Sequence, residues 1–242
     1  MVTAMGKRWR QAATILGCAL AIGGCAIGRK QAYHDGNPRI PRGSSSVALV
    51  VQDQRPYVLS GAKGTNFVGL QRGGFGNPFD VTTVSGQPLA ADFVTSIARG
   101  LKRAGYRVHP VPISDRAAPA EVQDAMTRTG AERGLHVVIQ EWKADTQMNT
   151  SLHYGVILLV LDPRGQELGR AAIGGVDAIA GSFMDPAGAA EESVPRAYNH
   201  KLQELLNNPS VVRALAPAPA PPPAEAPAPP AEPPSVAPVP SS

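Results

Sequence analysis

Leu152-His153-Tyr154-Gly155-Val156-Ile157-Leu158-Leu159-Val160-Leu161-Asp162-Pro163-Arg164-Gly165 is the stretch on which the fold turns. It is an apolar run closed by a segment with Asp first, Pro second and Gly fourth, the chemistry of a tight turn. Before it, Leu135-His136-Val137-Val138-Ile139-Gln140-Glu141-Trp142 reads as a second strand. After it, Glu167 to Ile179 reads as a third, glycine-rich and less regular. Three consecutive strands joined in this way predict an antiparallel meander.

Working outward toward the N-terminus, Val47-Ala48-Leu49-Val50-Val51 is a continuous apolar run ending at Asp53, the pattern of a buried central strand. Tyr57-Val58-Leu59 and Phe67-Val68-Gly69-Leu70 flank Ser60-Gly61-Ala62-Lys63-Gly64 and predict a hairpin. Gly73-Gly74-Phe75-Gly76-Asn77-Pro78 reads as a loop with Phe75 on its tip. Pro88 opens a helix to Arg103, with Leu89, Phe93, Ile97 and Leu101 recurring every fourth residue and Gly105 placed for a C-cap. Tyr106 to Val111 is a short strand, and Ala120 to Arg133 a weaker helix. Toward the C-terminus, Asp185-Pro186 is an N-cap and first turn, followed by a helix toward Asn207 that Pro195 is expected to kink or delay. Pro209 to Leu215 closes the pattern as a short helix. The expected fold class is α+β: a small, mostly antiparallel sheet with helices on one face.

The ends have a different composition. Twelve of the 24 prolines lie between Ala216 and Ser242, a stretch of Pro and Ala with only Glu225 and Glu232 charged. Such a segment has no core to form and reads as an extended, disordered tail, either a spacer or docking strip or a solubilising end. At the other end, Lys7, Arg8 and Arg10 precede the apolar run Ala12 to Ile22, which is too short to span a bilayer, and then Ile22-Gly23-Gly24-Cys25. This resembles a bacterial lipobox, the end of a lipoprotein signal. The small residues suit the peptidase, and the Cys25 thiol accepts the lipid. Cys18 has a rival approach, Ile15-Leu16-Gly17, but leaves an apolar run of only seven residues. In lipoproteins that this signal resembles, Asp after the cysteine holds the protein at the inner membrane; residue 26 is Ala, so the resemblance implies the outer membrane. The expected organisation is a signal over residues 1–24, a flexible tether over 25–46, an α+β periplasmic domain over 47–215 and the tail over 216–242.

Removing Lys7, Arg8 and Arg10 leaves 20 basic residues against 19 acidic, so the basic balance needed for nucleic-acid binding is absent. With Cys18 lost and Cys25 acylated, no thiol remains for a disulfide, metal or nucleophile. The five histidines form no metal-binding spacing. His136 and His153, on neighbouring strands, would supply two ligands where zinc needs three or four. Gly73 to Gly76 lacks the Lys-Ser/Thr of a phosphate loop, and Ser44-Ser45-Ser46 and Ser182 lack a nucleophile elbow. No catalytic residue, metal site or cofactor is expected. The candidate interaction residues are Asp53 and Arg55, as a recognition pair at a strand end, and Phe75 on its loop.

The lipobox, the strand ending in Asp53-Gln54-Arg55, the helix ending in Arg103-Ala104-Gly105-Tyr106-Arg107-Val108, the strand-turn-strand with Tyr154 and Gly165, and Val176 to Phe183 before a terminal helix resemble the YajG-type family of bacterial lipoproteins. The resemblance covers most of residues 15 to 215. The Pro/Ala tail and the long loop from Tyr57 to Val84 depart from it. It implies a small sheet-plus-helix periplasmic domain, with no assigned biochemical role. The expected function is a non-enzymatic lipoprotein at the periplasmic face of the outer membrane. Its partners would be the membrane, through the anchor, and an envelope protein or peptidoglycan. The alternative is a small-ligand or lipid-binding auxiliary lipoprotein of a transporter, which needs a pocket lined by Phe67, Phe75, Phe93 or Phe183.

Overall fold

The computed structural model describes residues 29–73 and 75–217. The signal, Cys25 and most of the Pro/Ala tail lie outside the described residues. In chain order the elements are β1 (Lys30–Gln31), β2 (Ser46–Asp53), α1 (Pro56–Leu59), β3 (Phe67–Arg72), β4 (Pro78–Thr83), α2 (Leu89–Arg103), β5 (Arg107–Pro110), α3 (Pro119–Thr127), β6 (Arg133–Thr146), β7 (Asn149–Leu161), β8 (Glu167–Gly181), α4 (Pro186–Leu206) and α5 (Pro209–Leu215).

The meander is present. β6 pairs antiparallel with β7 and β7 with β8, and the two-residue periodicity of β7 buries Leu152, Tyr154, Val156, Leu158 and Val160 on one face. The rest of the sheet corrects the expectation of a mostly antiparallel arrangement. β2 pairs parallel with both β5 and β6, β3 pairs parallel with β6, and β1 with β4. The sheet is therefore mixed, in the order β1-β4-β3-β6-β2-β5, with β7 and β8 on the other side of β6. Strand direction in these pairs is set by crossovers through helices, which residue pattern alone does not specify.

The helices also lie on both faces rather than one. Val47, Leu49 and Val51 of β2 point into the main core with α2, α4 and α5. Ala48 and Val50 point the other way, into a smaller cluster with Val122 and Met126 of α3 and with Ala131. This double burial is why β2 reads as an unbroken apolar run. In α2, Leu89, Phe93, Ile97 and Leu101 are all buried at 1% exposure or less. The helix closes at Gly105, whose φ of +103° and 2.6 Å approach of a would-be Cβ to the Gly43 carbonyl exclude a side chain.

Two further expectations are corrected. Tyr57-Val58-Leu59 forms the helical turn α1 instead of a hairpin strand, because Pro56 sits at its first position. The stretch 29–45, read as tether, packs along the domain. Tyr33 is fully buried against Trp142 and Tyr198, with ring centroids 6.2 and 5.0 Å apart. Its carbonyl accepts from Ser96 Oγ at 2.6 Å, and the His34 and Gly36 carbonyls accept from Arg99 Nη1 at 2.9 and 3.0 Å. α2 side chains thus satisfy a backbone that has no periodicity of its own. α4 runs through Pro195 as one element.

Candidate functional site

Asp53 and Arg55, the recognition pair offered at a strand end, are both fully buried. β6 changes partners along one edge: residues 133–139 pair with β2 and residues 144–146 with β3. Arg55 fills the interval. Its Nη1 donates to the Trp142 carbonyl of β6 at 3.0 Å and to the Phe67 carbonyl of β3 at 2.6 Å. Its Nε and Nη2 grip Asp53 at 2.8 and 2.6 Å. Burial works against the guanidinium charge, but Asp53 outweighs it and the Arg55 pKa is raised. The pair is a buried clamp inside the sheet.

The histidines do not converge either. His136 lies opposite Leu159 on β7, six residues from His153, or about 20 Å along the strand. His136 Nε2 donates to Gln52 Oε1 at 2.9 Å, and burial lowers its pKa from the ordinary 6.5. Among the described residues no cluster of three metal-ligating side chains occurs.

One polar cluster was not legible in the sequence because three elements build it. Lys201 of α4 lies 2.9 Å from Tyr154 Oη, 3.0 Å from Asp177 Oδ2 and 3.3 Å from Glu204 Oε2. Burial disfavours the ammonium, yet Tyr154, Asp177 and Glu204 more than offset it and hold its pKa above the usual lysine range. Lys201 therefore stays protonated and is no proton acceptor at neutral pH.

Phe75 is where the sequence places it, 99% exposed on the β3–β4 loop. Register brings it company. Gln71 of β3 lies opposite Thr146 of β6, Thr146 opposite Thr150 of β7, and Asn149 opposite Gly181 of β8. The β3–β4 loop, the β6–β7 turn and the segment leaving β8 thus share one end of the sheet, across three strand spacings of about 15 Å. Ser182 N donates to the Met148 carbonyl at 3.2 Å, tying the second to the third. Phe75, Met148, Phe183 and Met184 are 99, 57, 84 and 89% exposed there. The three segments, Gly73 to Asn77, Gln147-Met148 and Ser182 to Met184, contain no charged residue. The charges just behind them are occupied: Arg72 Nε and Nη2 bond Asp145 at 2.8 and 2.6 Å, and Asp185 caps α4 by accepting from Gly188 N at 2.9 Å. Sequence reading missed Met148 and Met184, and offered Phe183 only as a pocket-lining residue. An uncharged turn and an apolar pair just before an N-cap were the available signals.

The chain also enters the fold toward this end. β1 runs parallel to β4, which starts at the loop and runs away from it. Thr82 N donates to the Arg29 carbonyl at 3.2 Å, and Arg29 pairs with Glu191 in the second turn of α4 at 3.5 Å. The four phenylalanines proposed for a pocket are divided. Phe67 and Phe93 are core residues, whereas Phe75 and Phe183 stand in the open at the sheet end. No described helix is long and apolar enough to cross a membrane.

No family model matches the chain, and no curated protein matches it. Among solved structures it is similar to protein XCC0632 of Xanthomonas campestris, described by the DUF330 family model, at 11% identity over 75% of this chain and 95% of that one, TM-score 0.42. It is also similar to lipoprotein GNA1162 of Neisseria meningitidis, at 14% identity over 64% and 99%, TM-score 0.36. A third likeness is the PelC dodecamer of Paraburkholderia phytofirmans, at 14% over 70% and 93%, TM-score 0.38. Function is therefore read from the chain's own residues.

Proposed function

We propose that this chain is a bacterial lipoprotein anchored through acylated Cys25 to the periplasmic face of the outer membrane, with a domain that binds an envelope partner and catalyses nothing. The observation that carries this reading is the placement of Arg29. The chain enters the fold four residues after Cys25, on β1, about 13 Å up β4 from the uncharged apolar end of the sheet. An acyl anchor on Cys25 would be held close to the surface best able to lie against lipid, while the rest of the domain projects away. Each buried acyl methylene contributes about 0.8 kcal/mol, so several chains on one cysteine anchor firmly. For the partner, β8 offers an edge. It pairs with β7, no described strand pairs with its other side, and Val176 there is 61% exposed.

Metabolic labelling with a fatty-acid probe tests the anchor. Label is expected on the wild type and on Cys18→Ala, and is expected to vanish in Cys25→Ala. Label that persists in Cys25→Ala would overturn the assignment. Crosslinking in the periplasm followed by pull-down identifies the partner, and detergent-free fractionation of the two membranes places the anchor.

A further inference from the structure

Four large apolar side chains at one end of a sheet, on segments without charge, call for a cover. We propose that this end, with Phe75, Met148, Phe183 and Met184, seats in the headgroup region of the bilayer that holds the Cys25 anchor. The proposal rests on the lipoprotein reading above and gives the domain an orientation: sheet strands upright, the apolar loops in the lipid.

The argument is one of reach and chemistry. Arg29 is hydrogen-bonded to Thr82, four residues up β4 from Pro78 at the sheet end, a rise of about 13 Å. Arg29 is the fourth residue after Cys25, and the four steps between them, fully extended, span about 14 Å. The anchor therefore stays near the domain, and the apolar loops lie on the side from which the chain arrives. A free surface of this kind on a protein held at a membrane meets lipid at high local concentration. Bilayer headgroups tolerate the loop backbones because water is still present there, and Phe and Met place their side chains at the acyl boundary. Arg72 and Asp145 compensate each other, and Asp185, which keeps its negative charge, is engaged as the N-cap of α4. A protein partner or a second copy would explain the exposed side chains equally well but not their placement beside a short anchor.

The mature chain provides a quiet background for a test. Trp9 lies in the signal segment, and Trp142 is fully buried. Full-length lipidated Phe75→Trp and Phe183→Trp, reconstituted in vesicles of phosphatidylethanolamine and phosphatidylglycerol, each add one exposed reporter. Leu168→Trp, at the far end of β8 and 42% exposed in the native protein, is the control. With bromine on the lipid acyl chains, both loop reporters should lose most of their added emission and shift to the blue, while the Leu168→Trp signal stays as in unbrominated vesicles. Loop reporters as unquenched as the control would overturn the proposal. A blue shift without bromine quenching would mean that protein, not lipid, covers the loops, and would overturn it too. Equal quenching at all three positions would show a domain lying flat and would overturn the orientation. Failure of Cys25 labelling would instead sink the anchor itself, a separate result read on the same preparations.

Discussion

At the point where β2 stops and β3 begins, the Trp142 carbonyl of β6 would face a gap if Arg55 were elsewhere. The guanidinium supplies the donors that a continuous neighbouring strand would have supplied, and Asp53 keeps its charge compensated. Breaking such a pair strands the other charge in the interior. Arg55→Met is expected to cost about 3–5 kcal/mol, much of the stability of an ordinary domain at about 5–15 kcal/mol. Asp53→Leu/Arg55→Met, which removes both charges, should recover part of that loss. Urea unfolding of the three proteins measures both, and an Arg55→Met midpoint close to wild type would show that the clamp contributes little. Asp-Gln-Arg at a strand end is legible in the sequence as polar and terminal, and both exposed and buried outcomes fit that pattern. Burial was decided by Phe67 and Trp142, which arrive from 12 and 87 residues away.

Among the elements, α2 follows its sequence most closely. Its four-residue stripe is the wall of the main core, so Ile97→Ala, at 1% exposure, is expected to cost about 2–5 kcal/mol by denaturant unfolding. A thermal midpoint within a degree of wild type would mean that the helix is not packed as described. α3 is weaker in pattern for a physical reason. It covers a small cluster around Ala48 and Val50, so it needs only Val122, Ala125 and Met126 on its inner side. The meander was legible because antiparallel neighbours are joined by short turns whose residues announce them. The parallel pairs were not, since β2, β5 and β6 are joined by long connections that leave no local mark.

At the scale of the whole molecule, the two ends behave differently. The segment 29–45 is part of the folded body, with Tyr33 packed edge-on against Trp142 and Tyr198, which in turn pack against each other and Phe93. Tyr33→Ala should cost about 3–5 kcal/mol, in the range of other large aromatic truncations, and joining Cys25 directly to Ser46 should lower the melting temperature by many degrees. At the other end, Leu215 is buried, its carbonyl accepts from Ser45 Oγ at 3.0 Å, and the Ala216 carbonyl accepts from Arg133 Nη2 at 2.8 Å. Beyond Pro217 the sequence offers only Val236 and Val239 as apolar side chains larger than alanine or proline. Truncation after Pro217 is therefore expected to leave the melting temperature unchanged, and a drop of several degrees would show that the tail packs on the domain.

By itself the sequence determined the features that depend on near neighbours: the α2 stripe, the turn at Asp162 to Gly165, the buried run of β2, and Phe75 on an open loop. Periodicity, capping and turn chemistry are local, so they are written in consecutive residues. Tertiary structure alone decided that the sheet is mixed and covered on both faces, that Arg55 is a buried clamp, and that residues 29–45 belong to the body. It also gathered Phe75, Met148, Phe183 and Met184 at one end. Each of these depends on side chains and carbonyls that meet only after distant strands have taken their register, and register is a property of the folded sheet as a whole.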